Sequence, residues 1–95
     1  MIVMDQENLW APGWSHVLST ANDLEELRAF CIRVGAPPSA LHLGRWPHLD
    51  LKLEPRSRAL ACTDVRVFDR SSDMLRFLKS LSGNASRQAQ RQQPF

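Results

Sequence analysis

Apolar and polar residues alternate along this chain in two rhythms, and each switch of rhythm marks an element. Met1–Met4 is a short apolar run ended by Asp5, the pattern of a buried opening strand. Residues 6–13 hold Pro12 and Gly13 and read as a loop. W-S-H-V-L over 14–18 alternates as a second strand, with Trp14, His16 and Leu18 on one face and Ser15 and Val17 on the other. A helical period follows over 23–34, where Leu24, Leu27, Phe30, Cys31 and Val34 form one apolar stripe. Asn22 is the expected N-cap, with Glu25 completing a capping box and Gly35 the stop.

Beyond the helix, 36–48 reads as a loop or a short helical turn around Ser39–Leu43. H-L-D-L-K-L over 48–53 returns to strand alternation, with Leu49, Leu51 and Leu53 inward. Pro55 suits the first turn of a helix running to Cys62, with Ala59, Leu60 and Cys62 inward. Asp64–Phe68 is a further strand. A last helix spans 72–81, capped by Ser71 or Ser72, with Met74, Leu75, Leu78 and Leu81 inward and Gly83 as its stop. Strands alternating with helices predict a small single α/β domain over 1–83, a short mixed or parallel sheet packed by about three helices. The Gln-rich stretch 84–95 is nearly free of aliphatic side chains and predicts a disordered tail, with Phe95 a frayed end or a docking residue.

The 95 residues, 43% hydrophobic and 23% charged, leave room for one thin-cored domain. No apolar stretch approaches the roughly 20 residues of a membrane span. The first ten residues lack a basic segment, which argues against a secretory signal and for a cytoplasmic protein. Two cysteines, both on apolar helix faces, exclude a disulfide-dense scaffold and a four-cysteine zinc site and read as inert thiols.

The net charge of +2 comes wholly from Arg87 and Arg91 in the tail. The body is neutral overall but uneven: residues 1–30 carry five acids against one Arg, and 31–60 carry five basic residues against two acids. That balance gives only weak support to a nucleic-acid partner.

Four segments in order, I-V-M-D, W-S-H-V-L, D-L-E-E-L-R-A-F…V-G and H-L-D-L followed by R-S-R-A-L-A, resemble a family of short bacterial and phage proteins catalogued as domain of unknown function 4031. The likeness spans about residues 2–78. Arg28 stands where the family usually has His, Leu49 where it has Tyr, and Thr63-Asp64 where it has Gly-Ala. The resemblance implies a fold and a polar residue set, and carries no known reaction.

Three constellations carry candidate chemistry. Asp5, His16, His48 and Asp50 mix imidazoles and carboxylates, and a carboxylate ending a buried strand lies where open α/β sheets place ligand groups. Asp5, His48 and Asp50 form a candidate set for a divalent metal. His16, His48, Asp50, Arg58 and Arg45 are the candidate lining of a cleft for a small anionic ligand such as a nucleotide or phosphate. Arg56 and Arg58 begin the helix opened by Pro55, where free N–H groups favour anions, or else Arg58 is a structural partner of Glu54 or Asp50. Trp10 and Trp46, both in loops, are candidate interface residues, including for a homodimer, and Trp46 beside Arg45 could stack on a base. Three readings stay open: an anion-binding module, a metal-dependent hydrolase of a phosphorylated or nucleic-acid substrate, and an interaction module.

Overall fold

The computed structural model describes the backbone of residues 1–92 and the side chains of residues 1–81. Its strands are β1 Ile2–Glu7, β2 Trp14–Ser19, β3 Leu41–His42, β4 His48–Lys52 and β5 Arg66–Arg70. Its α-helices are α1 Leu24–Arg33, α2 Leu53–Leu60 and α3 Ser71–Gln92, and a single 3₁₀ turn spans Pro38–Ala40. The strands form one mixed sheet in the order β3-β4-β2-β1-β5. The β1–β5 pair is parallel and the other three pairs are antiparallel. The mixed α/β sheet with three helices agrees with the sequence expectation.

The sheet has two unequal faces. Met4 opposite Val17 and Val17 opposite Leu49 set one apolar row, which packs with Leu27 and Phe30 of α1, Val34 at its C-cap and Ala59 of α2. The other face carries Val3, Asp5, Trp14, His16, Leu18, His48 and Asp50, because strand side chains alternate. Helix α3 lies over β1 and β5 on this side. With helices on both faces, Ile2 to Asp5 are buried without a break, as a central strand requires.

Several local expectations change. The N-cap of α1 is Asp23, whose Oδ1 accepts from the N–H groups of Glu25 and Glu26. Asn22 instead turns the chain at φ +54, a left-handed conformation that Asn tolerates. Gly35, at φ +72, ends the helix as expected. Leu53 is not the last inward residue of β4; it is 75% exposed at φ +54 and opens α2. Cys62 lies beyond α2, half-buried, its Sγ donating to the Arg58 carbonyl. In α3 only Met74 of the four expected residues is fully buried; Leu75 and Leu81 are about 40% exposed. Gly83 does not end α3. The expectations for 84–95, Phe95 included, fall on residues outside the described side chains. No helix of the described residues is long and apolar enough to cross a membrane.

Candidate functional site

The register of the sheet assembles the site. Asp5 follows the Met4–Val17 pair and so sits opposite His16, and His16 is paired in turn with Asp50. The next row places Leu18 beside His48, and His48 pairs with His42 of β3. Two rows across four strands therefore gather three imidazoles and two carboxylates on one face. These cluster residues come from β1, β2, β3 and β4.

Asp5 anchors the cluster and is fully buried. Its Oδ1 accepts from the His16 backbone N–H at 2.7 Å, and its Oδ2 accepts from His16 Nδ1–H at 2.8 Å. The Ser71 hydroxyl, at the first residue of α3, donates to the same Oδ2. Burial is the largest single influence on the Asp5 carboxyl and pushes its pKa up. The hydrogen bonds from the His16 ring, Ser71 and the His16 N–H together outweigh it and hold the pKa below its usual value. The bond to Asp5 raises the pKa of His16 against the opposing effect of burial, and the charges of Asp5 and Asp50 raise it further. His16 is thus an imidazole held in one orientation by a buried carboxylate. Its Nδ1 is committed to Asp5, and its Nε2 has no hydrogen-bond partner among the described residues.

The loop after β1 packs against this pair. Asn8 is buried, its Oδ1 accepts from the N–H groups of Trp10 and Ala11, and its Nδ2 lies 3.4 Å from His16 Nδ1. On the far side, His42 Nε2 is 3.1 Å from Asp50 Oδ2 and His48 Nε2 is 3.7 Å from the same oxygen. His48 Nδ1 donates to the Trp46 carbonyl at 2.9 Å, which fixes the ring and directs Nε2 toward Asp50. The His42 and His48 rings stack with centroids 5.2 Å apart, and His16 meets His48 edge-on at 6.1 Å.

Of the sequence candidates, His16, His48 and Asp50 come together as expected. Arg58 does not join them. It donates to the Val34 carbonyl and pairs with Glu54 at 3.0 Å, bracing the C-terminus of α1 from α2. Its guanidinium lies where a Cβ on Gly35 would fall, at 2.8 Å. Arg45 is exposed in the loop before β4, with no hydrogen bond or ion pair to the cluster among the described residues. Arg56 is also structural: its Nε donates to Ser15 Oγ at 2.9 Å and its guanidinium reaches the Gln6 carbonyl.

The metal set of Asp5, His48 and Asp50 fails for a related reason. Both Asp5 oxygens are taken by protein donors, and no group of three or more His, Cys, Asp or Glu among the described residues is arranged to hold a metal ion. Trp10 and Trp46 are exposed, at 74% and 54%, in separate loops. Trp14 is half-buried, with Lys52 Nζ 4.7 Å above its ring.

Two members of the cluster escaped the sequence reading. His42 lies in L-H-L, which alternates like a strand but is too short for its period to stand out between Pro38 and Gly44. Ser71 reads as a helix cap, and only the tertiary fold brings it to Asp5, 66 residues away. No family model, curated protein or solved structure matches this chain.

Proposed function

We propose that the chain binds a small anionic, phosphate-bearing ligand on the open half of this sheet face, with His16 as its cationic anchor and proton donor. The observation that carries the reading is the Asp5–His16 pair. A buried carboxylate that fixes Nδ1–H and favours the imidazolium leaves Nε2–H to donate to an anion, or to pass a proton to a ligand oxygen. The His42 and His48 rings stand beside it, with Nε2 of each turned toward Asp50, so the Asp50 carboxylate already has its own partners next to the ligand position. Three of the four segments that resemble domain of unknown function 4031 deliver Asp5, His16, His48 and Asp50, which supports reading the cluster as a site shared with that family. A cytoplasmic location fits two unpaired cysteines, one of them buried.

Inorganic phosphate is the first probe. At pH 6, titration followed through the imidazole ring protons by NMR is expected to give a saturable shift of the His16 signals. The shift should weaken at pH 8.5 as His16 loses its proton. His16→Asn puts an amide N–H near the position of Nδ1–H, so Asp5 keeps a partner, but the donor that faces the ligand is lost. Phosphate binding is expected to fall at least about tenfold in this variant. A wild-type protein whose His16 signals ignore phosphate, or a His16→Asn protein that binds it equally well, would refute the proposal.

A further inference from the structure

The cluster opens on one side into a second space of very different character. Leu18, Trp46, His48, Leu75, Leu78 and Lys79 enclose a groove of about 450 Å³ between α3 and the sheet. That volume falls within the roughly 300–1,000 Å³ of small-molecule sites. Its walls are aliphatic and aromatic apart from His48 and Lys79. Leu18 stands two residues after His16 on the same strand face, and His48 belongs to both the groove and the cluster. The polar row and the apolar groove are therefore neighbouring rows of one sheet surface, and a single small molecule can span them.

We infer that the ligand is amphiphilic: one anionic head at His16, joined past the edge of the His48 ring to an apolar aromatic body that lies in the groove against Trp46, Leu75 and Leu78. This inference rests on the anion-binding reading above and specifies the class of molecule. Charge complementarity argues for the occupant, because Lys79 lines the apolar walls and His16 stands next to the His48 ring that borders them, 6.1 Å from it. A purely apolar guest would leave His16 Nε2 and the Lys79 ammonium unused, and an inorganic anion would leave the groove to water. Trp46 is the natural wall for a flat ring, since indole faces stack readily and lose little side-chain entropy on doing so. The His48 bond to the Trp46 carbonyl ties the aromatic wall to the polar head group by two residues of chain.

The test compares 1-naphthyl phosphate with inorganic phosphate by calorimetry at pH 6. The aryl ester is expected to bind at least about tenfold tighter than phosphate. Trp46→Ala keeps the backbone carbonyl that holds His48, and the side chain it removes is half-exposed, so the fold should be unaffected. In Trp46→Ala, and separately in Leu75→Gln, the advantage of the aryl ester should shrink to less than about threefold while phosphate affinity is unchanged. His16→Asn should weaken both ligands. Trp10→Ala, in a different loop, should change neither.

Equal affinity for the two probes in the wild-type protein would overturn the inference and leave the anion site standing. An advantage that survives both Trp46→Ala and Leu75→Gln would also overturn it. Failure of both probes to bind would remove the anion site and this inference together. A groove covered by a second copy would show as a concentration-dependent mass with no gain from the naphthyl group, and that result too would refute the inference.

Discussion

Asp5 has three hydrogen-bond donors from two other elements and no exposure to solvent, so its carboxylate works as an acceptor. Asp5→Ala would strand two donors of His16 and leave the Ser71 hydroxyl only its longer contact with the Glu7 carbonyl at 3.3 Å, and is expected to lower stability to urea by about 3 kcal/mol. A loss under about 1 kcal/mol would mean those groups find other partners. The same pair sets a pH dependence. His16, with its raised pKa, stabilises the fold fully below its usual value of 6.5, and this contribution fades as pH rises through the raised value. Asp5, with its lowered pKa, contributes fully above its usual 3.8, and this fades as pH falls through the lowered value. The thermal midpoint is therefore expected to peak between about pH 4 and 6.5 and to decline on both sides. The alkaline decline should flatten in His16→Asn, and an unchanged decline in that variant would assign it to other groups.

Among the elements, periodicity located α1, β2 and β4 because their apolar spacing matches a single face. What it misjudged were the hinges. Leu53 continues the alternation of β4 perfectly, yet the chain turns at Lys52 to start α2, and Leu53 takes a left-handed conformation in solvent. Such a conformation costs a residue with a Cβ about 1 kcal/mol, and Asn tolerates it better. Leu53→Asn is therefore expected to stabilise the protein by about 0.5 kcal/mol in urea unfolding, and a loss would show that the leucine packs usefully. The Arg58–Glu54 pair is the structural alternative that helix spacing offers, whereas the longer reaches of the arginines are not legible for the same kind of reason. Sequence shows that Arg56 and Arg58 begin a helix, but not that one reaches the Gln6 carbonyl and the other the carbonyl of Val34. Bonds to main-chain carbonyls across the fold leave no trace in local spacing. His16, His48 and Asp50 were legible because strand alternation alone puts them on one face; His42 and Ser71 were not, since their places depend on which strands and helices become neighbours.

At the scale of the molecule, the sheet order places β1 between an antiparallel and a parallel neighbour, with helices on both faces. Stability should be graded from this centre outward. Backbone amides of Val3, Met4 and Val17 are expected to exchange with solvent slowest, near the global unfolding limit, and those of Leu41 and His42 fastest among the strands. Uniform protection across β3 and β1 in a hydrogen-exchange experiment would contradict that gradient. The alternation of strands and helices gave the α/β class from sequence, whereas the parallel β1–β5 pair depends on contacts more than sixty residues apart.

The reach of Ser71 back to Asp5 bears on how the protein is made. On the ribosome β1 emerges well before its parallel neighbour β5 and the hydroxyl that completes the Asp5 carboxylate, which follow some sixty residues later. Until that late segment arrives, the nascent chain carries an open edge of Ile2, Val3 and Met4 and an acid short of one donor. The Asp5 carboxylate is thus completed only once residue 71 has been made, and a chain released before it would hold Asp5 with the two His16 donors alone.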